Sequence, residues 1–327
     1  MIYSDIDFNN KTVLITGGAG FIGSNLAFYF QKNFPNCNVV VFDKFRSEET
    51  FSNGNLKSFG HFKNLIGFDG EVISGDINSD LDLLKNYRFD YIFHEAAISD
   101  TTVSDQGLMI ETNVNAFKNI LDMAEEMKAN IVYASSAATY GDSNSFCIGD
   151  EQPNNVYGFS KLIMDNIARK KMRFSNISIV GLRYFNVYGQ REFFKNKTSS
   201  MVLQFGLQLL EGKNAKLFEG SDKIKRDFIY IEDVIQANIK ACKPQKSGVY
   251  NVGTGVARSF QDIVDILKKE LHIDRKDEYI PNPFVGQYQF FTEADIGLSK
   301  EFLDYEPRFS LEEGIKLYIK EIKRIYG

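Results

Sequence analysis

Short apolar runs alternate with amphipathic stretches through the first half of the chain. Thr12 to Thr16 is an uncharged run rich in β-branched residues that stops at Gly17, and it predicts a buried parallel strand. N-V-V-V-F-D predicts a second strand ending at Asp43, and Glu71 to Ser74 a third. R-F-D-Y-I-F-H-E-A-A predicts a fourth, closing in small residues at Ala96 and Ala97, and Ile131 to Ala134 a fifth that runs into Ser135 and Ser136. Helical patterns lie between them, one from about Phe21 and one from Met109 to Met127 with apolar residues at helical spacing. Strands alternating with helices in this way predict an α/β fold built on a Rossmann-type, doubly wound parallel sheet.

From about Asn186 the periodicity is less regular, and glycine and aromatic content rises. The expected division is a dinucleotide-binding domain over residues 1–185 and a smaller, mainly substrate-binding lobe over 186–327, some of whose elements return to the first domain. Helices are expected over Met201 to Leu210, from Ser259, and in the tail S-L-E-E-G-I-K-L-Y-I-K-E-I-K-R-I, where apolar residues fall three and four apart. Lys44 to Gly70 is polar and broken by Gly54, Gly60 and Gly67, and reads as a surface excursion.

Composition narrows the partners. With 327 residues, 43% hydrophobic and 25% charged, the chain is long enough for a sizeable core. The net charge of -5 and the absence of a basic stripe argue against nucleic acid. No apolar run approaches the ~20 residues of a membrane span. The opening M-I-Y-S-D-I-D-F-N-N has no signal-peptide pattern, so a cytoplasmic protein that does not engage a membrane is expected. Cys37, Cys147 and Cys242, like His61, His94 and His272, have no metal-ligand spacing, so no metal site is expected.

Gly17, Gly20 and Gly23 fall at i, i+3 and i+6 between the first strand and the first helix. The first glycine suits a tight turn, the second a close approach to pyrophosphate, and the third close packing of helix on strand. A helix starting near Phe21 would offer free N–H groups to the phosphates. Asp43 stands where a carboxylate can accept from ribose hydroxyls. Asp76 and Ile77 end a strand that would face the adenine, and Ala96 and Ala97 leave room at a strand's carboxyl end. Asn113 is placed to hold distorted backbone near a nicotinamide. These features point to a nicotinamide dinucleotide. Asp43 by itself favours NAD, since a carboxylate repels a 2'-phosphate, whereas Lys44 and Arg46 lie close enough in sequence to neutralise one.

Y-G-F-S-K puts Tyr157 and Lys161 four residues apart, on one face of a helix. An adjacent ammonium stabilises a phenolate, and a tyrosinate beside a nicotinamide suits removal of hydride from an alcohol. Ser136, ending its strand, is placed to share a hydrogen bond with the substrate hydroxyl. The bland alternative is an aromatic and a charge on a half-exposed helix, and the dinucleotide site weighs against it.

The combination of T-G-G-A-G-F-I-G, the Ser-Ser pair, Y-G-F-S-K and R-Y-F-N-V-Y-G resembles the extended short-chain dehydrogenase/reductases that act on nucleotide sugars. H-E-A-A-I-S-D-T-T, R-E-F-F-K, K-L-F-E-G-S with K-R-D-F-I-Y-I-E-D-V, and G-Q-Y-Q-F-F-T-E-A-D narrow the resemblance to NAD(P)-dependent epimerases of an ADP-activated heptose, enzymes that supply the lipopolysaccharide inner core. The resemblance implies bound, recycled NADP, a nucleotide-sugar substrate and a homo-oligomer, possibly a pentamer. It implies that Tyr157 and Lys161 form the catalytic helix pair and that Lys195 is a second acid/base. It adds Phe21, Ile22, Lys44, Glu95, Ile98, Ser99 and Val187 to the cofactor contacts. For the substrate it implies Asn186, Gln204, Phe218, Glu219, Gly220, Ser221, Arg226 and Tyr288. Lys195 could instead be a solvated lysine near Lys197, and Arg226 a surface ion pair. A nucleotide-sugar 4,6-dehydratase would carry an Asp-Glu pair where Ala137 and Ala138 stand. A UDP-hexose 4-epimerase shares the scaffold without needing a lysine at position 195. A redox-sensing dinucleotide binder would have no reason to keep Tyr157, Lys161 and Ser136 together.

Overall fold

The computed structural model describes residues 1–141, 143, 145–281 and 290–326. The first half runs β1 (Thr12–Thr16), α1 (Phe21–Asn33), β2 (Asn38–Asp43), β3 (Glu71–Ser74), β4 (Tyr91–His94), α2 (Gln106–Ile110), α3 (Ala116–Met127), β5 (Asn130–Ser136) and α4 (Val156–Lys171). Then come β6 (Ile179–Tyr184), β7 (Asn186–Tyr188), α5 (Met201–Leu210), β8 (Lys216–Phe218), β9 (Lys225–Tyr230) and α6 (Ile231–Lys240). The chain ends with β10 (Gly248–Val252), β11 (Ala257–Ser259), α7 (Phe260–Leu271), β12 (Glu278–Ile280), α8 (Gly297–Leu303) and α9 (Leu311–Tyr326).

Among the described residues the main sheet has seven strands in the order β10-β6-β5-β4-β1-β2-β3. Every neighbouring pair in it is parallel. This is the Rossmann-type doubly wound sheet. Strand order reverses between β1 and β4, the position at which such sheets bind ligands beyond the carboxyl ends of their strands. Side chains alternate across the sheet. Val13, Ile15, Val39 and Val41 join a core that continues through Leu182 to Ile263 and Ile315. Leu14, Val40, Phe42 and Ile92 face a second core with Phe117, Tyr133 and Met164. Phe42 has no exposed surface, so truncating it to alanine would cost about 3–5 kcal/mol. Two smaller sheets, β11-β9-β7 and β12-β8, lie in the second half, while β10 from that half joins the main sheet beside β6.

Two elements differ from the sequence expectation. The helix expected over Met109 to Met127 is broken by a π-helical turn at 111–115 between α2 and α3. That turn buries Asn113, whose amide bonds the backbone of Ile98 in both directions, N–H to Oδ1 at 2.8 Å and Nδ2 to O at 3.0 Å, and also Ser160 Oγ at 3.0 Å. The excursion after Asp43 is folded rather than loosely extended: Thr50 and Leu56 bridge, and residues 62–65 form a 3-10 turn. Among the described residues no helix is long and apolar enough to cross a membrane.

Candidate active site

A cleft of about 530 Å³ opens at the strand-order reversal. Its floor is the turn between β1 and α1. Gly17 has φ +69°, and a Cβ there would lie 2.7 Å from Ala96 N. A Cβ on Gly23 would come within 2.7 Å of Gly18 Cα and closer still to Gly17 O, so α1 sits against the turn only because position 23 has no side chain. Among the described residues no side chain caps α1 and its first turn carries no acid, and its leading residues Phe21 to Gly23 line the cleft. An anion fits there.

Asp43, ending β2, lines the cleft, but both carboxylate oxygens already have backbone partners. Oδ2 accepts from Ala19 N at 2.9 Å and Oδ1 from Phe45 N at 2.7 Å. Burial raises its pKa against the pull of those two N–H groups. Lys44 Nζ pairs with Asp76 at 2.8 Å, and both residues line the cleft. Gly20, Phe21, Ile22, Ile77, Glu95, Ala96, Ala97, Ile98, Ser99 and Val187 also lie on its wall. Asn113 does not. Its amide bonds Ile98 and Ser160, so it holds the π turn and the Ile98 backbone from behind the wall. Sequence reasoning missed Phe51 and Lys57 to Gly60, which the folded excursion brings over the cleft, and Tyr184 and Phe185. The last two stand inside R-Y-F-N-V-Y-G, where a signal was available. Phe51 and Lys57 had none.

Tyr157, Lys161 and Ser136 meet in the cleft. Asn155 caps α4 by accepting from Gly158 N at 2.8 Å, which fixes the first turn and with it Tyr157. Tyr157 and Ser136 line the same cleft, and Ser136 Oγ accepts from Ala138 N at 3.1 Å. Lys161 donates from Nζ to Ala134 O at 2.7 Å and lies 5.9 Å from the Tyr157 ring centre. Burial raises the Tyr157 phenol above its ordinary value, Ser136 opposes, and Glu95 adds to the rise. Burial brings Lys161 down to about 8 while Glu95 and Asp165 oppose. Burial lifts Glu95 to about 7, against a hydrogen bond from Tyr184 OH at 2.9 Å. Behind them Arg183, wholly buried, pairs with Asp165 at 2.8 Å and with Glu151 at 2.5 Å.

Lys195 reaches the same cleft from the loop after β7. Its Nζ is 5.7 Å from the Phe21 ring centre and makes no hydrogen bond or ion pair with a described residue. Burial lowers its pKa, and the Glu192 carboxylate opposes.

Among the described residues, Asn186, Gln204, Phe218 to Ser221 and Arg226 do not line this cleft. Asn186 Nδ2 donates to Asp227 O at 3.2 Å. Gln204 Nε2 donates to Ser199 O at 2.7 Å and Lys197 O at 3.2 Å, so its amide holds the Lys195 loop. Phe218, Glu219, Gly220 and Ser221 form the turn after β8, where Ser221 N bonds Phe218 O. Arg226 is buried in β9 opposite Arg258 and donates to Lys225 O at 2.8 Å. Tyr288 lies outside the described residues.

The model of the NAD dependent epimerase/dehydratase family matches residues 13–253. The structure of ADP-L-glycero-D-manno-heptose-6-epimerase from Helicobacter pylori is 54% identical to this chain, covers 99% of both chains and superposes with a TM-score of 0.91. UDP-glucose 4-epimerase from Thermotoga maritima is 26% identical, with 97% of this chain and 100% of that one covered and a TM-score of 0.85. UDP-glucuronic acid 4-epimerase from Bacillus cereus, solved with UDP-glucuronic acid and NAD, is 28% identical over 96% of this chain and 100% of that one, with a TM-score of 0.81.

Proposed function

The chain belongs to the NAD dependent epimerase/dehydratase family, an enzyme of the epimerase kind that uses a nicotinamide cofactor, and from that premise we propose that it inverts C6'' of ADP-D-glycero-β-D-manno-heptose to give the L-glycero epimer. The observation that carries this reading is that two proton-handling side chains, Tyr157 on α4 and Lys195 on the loop after β7, line one cleft from different elements. The 54% identity to the Helicobacter pylori heptose epimerase supports the choice of substrate. Residues 1–185 supply most of the cofactor half, and residues 186–327 most of the substrate half. The product would serve lipopolysaccharide inner-core synthesis inside the cell, in a homo-oligomer.

The glycine turn and the open N-terminus of α1 bind the pyrophosphate. A nicotinamide held in this cleft would supply the hydride acceptor and donor that oxidation at C6'' and re-reduction on the other face need. One of Tyr157 Oη and Lys195 Nζ takes the proton of the 6''-hydroxyl, and the other delivers a proton to the oxygen of the opposite epimer. Ser136, on the same cleft wall, is placed to share a hydrogen bond with the substrate hydroxyl, and Lys161 adds positive charge on the Tyr157 side. C6 is exocyclic, so the ketone can turn about C5–C6 while the rest of the sugar stays held.

The cofactor we propose is NADP. Lys44 and Lys57 line the cleft at the Asp43 end, where a 2'-phosphate would sit, and both Asp43 oxygens are engaged by backbone N–H groups. Extraction of the purified protein should release NADP, and release of NAD alone would reverse this choice. Incubation with each nucleotide sugar, resolved by NMR, should show interconversion of the two ADP-heptose epimers and essentially none of UDP-galactose or UDP-glucose. UDP-galactose turnover at equal or higher kcat/KM would hand the assignment to a UDP-hexose 4-epimerase.

A further inference from the structure

The loop that presents Lys195 is held in an uphill backbone shape. Two non-glycine residues in it are left-handed, Arg191 at φ +71° and Asn196 at φ +52°. From within, Glu192 closes the loop by accepting from Gly189 N at 3.1 Å, Ser200 N at 2.7 Å and Ser200 Oγ at 2.7 Å. From outside, it is fastened to the excursion that follows β2. Phe194, the neighbour of Lys195, stacks flat on His61 with ring centres 3.7 Å apart and planes 5° apart. Arg191 donates from Nε to Asn64 O at 3.3 Å, and its guanidinium lies 4.0 Å from the Phe28 ring centre.

The excursion is itself tied to the dinucleotide turn. His61 N and Asn64 Nδ2 both donate to Ala19 O, at 3.0 Å and 3.1 Å, and Ala19 N donates to Asp43. A continuous set of contacts therefore runs from the glycine turn, through His61 and Asn64, to Phe194 and Lys195. We propose that His61 is a positioning residue for the reaction, its ring clamping Phe194 so that the Lys195 ammonium is held over the cleft at a fixed place relative to the glycine turn. This rests on the reading of Lys195 as an acid/base group. The clamp needs a flat ring and not a titrating one: burial, with Arg46 and Lys63, keeps His61 below the ordinary imidazole value. It also gives the excursion a task that surface packing alone would not, since Phe51 and Lys57 to Gly60 of the same segment line the cleft.

The test compares His61→Ala with His61→Phe, which keeps a ring able to stack, and reads kcat, KM and trace acetylation of Lys195 relative to Lys197 by mass spectrometry. His61→Ala should lower kcat about tenfold with KM within about twofold, and raise relative Lys195 labelling several-fold, as loss of a ring stack that fixes a reacting group implies. His61→Phe should restore both. Arg191→Lys, which removes the guanidinium stacking on Phe28, should shift labelling in the same direction. Unchanged Lys195 labelling in His61→Ala, or failure of His61→Phe to rescue it, overturns the clamp. Altered labelling with wild-type kcat upholds the clamp and overturns the acid/base reading of Lys195 instead.

Discussion

Replacing Gly23 with alanine should separate cofactor binding from folding. The added Cβ would stand 2.7 Å from Gly18 Cα, where about 3.5–4.0 Å is the comfortable carbon–carbon separation, so α1 must back away from the turn by about 1 Å. Overpacking of this size costs about 1–3 kcal/mol, and the better helix propensity of alanine returns up to about 1 kcal/mol. The folded protein without cofactor should therefore lose at most about 3 kcal/mol. The leading N–H groups of α1 suffer more. A phosphate oxygen at about 2.9 Å from them would be left near 3.9 Å, outside hydrogen-bond range. Each such bond to a charged group contributes about 1.5–3 kcal/mol, so losing one or two raises the cofactor Kd by roughly 10- to 1,000-fold or more. Calorimetric titration with NADP and NAD measures the affinity, and thermal melts with and without cofactor measure the stability. Wild-type melts near saturation should shift upward and variant melts at the same concentration should not. A Kd within threefold of wild type in a normally folded variant would refute the argument that position 23 sets the distance between α1 and the phosphates.

The other expectations concern the proton-handling groups and the buried charges behind them. Tyr157→Phe and Lys195→Met should each lower kcat about 100-fold or more with the fold intact, and near-wild-type turnover in folded Lys195→Met would end the two-group assignment. Burial raises Glu151, but Arg183 at 2.5 Å and Arg169 at 3.0 Å outweigh it and hold the carboxyl at about 2 against a usual 4.5. Because the folded pKa is depressed, the stabilisation is present above about pH 4.5 and lost as pH falls toward 2, and it amounts to about 3 kcal/mol. Urea unfolding at a series of pH values should show that acid slope in the wild type and a shallower one in Glu151→Gln, and equal slopes would contradict it.

Periodicity carried the sheet and lost the details that shape the cleft. The runs at β1, β2, β4 and β5 are apolar because both faces of a parallel sheet are covered, and that pattern is visible residue by residue. The π turn at 111–115 is not, because Met109, Asn113 and Phe117 keep a spacing that an unbroken helix would also produce. Residues 44–70 are polar and rich in glycine, which describes a loop but does not say that Phe51 and Lys57 will fold back over the cleft. Spacing put Tyr157 and Lys161 on one helix face. It could not show that the lysine reaches past the ring to Ala134 O, a contact set by how α4 lies on β5. For Asn186, Gln204 and Arg226 the residue types suited a ligand, and the structure has each engaging backbone carbonyls within its own lobe.

The two groups proposed to handle protons begin with nearly equal affinities in water, about 10 for a phenol and about 10.4 for an ammonium. Burial displaces them in opposite directions because the charged form is the anion in one case and the cation in the other. Burial raises Tyr157, with Glu95 adding to the rise, and lowers Lys195, with the Glu192 carboxylate opposing. Environments that drive two titratable groups apart assign acid and base. On the proposed reading, burial makes the phenol hold its proton more tightly and favours the neutral form of the amine. Lys161, held on Ala134 O, and Glu95, held by Tyr184, flank only the tyrosine side, so the asymmetry comes from the fold around each group and not from the pair alone. An epimerase running in both directions must reset this arrangement after each turnover. On the proposed reading, Tyr157 and Lys195 exchange the roles of acid and base between the two directions of the reaction.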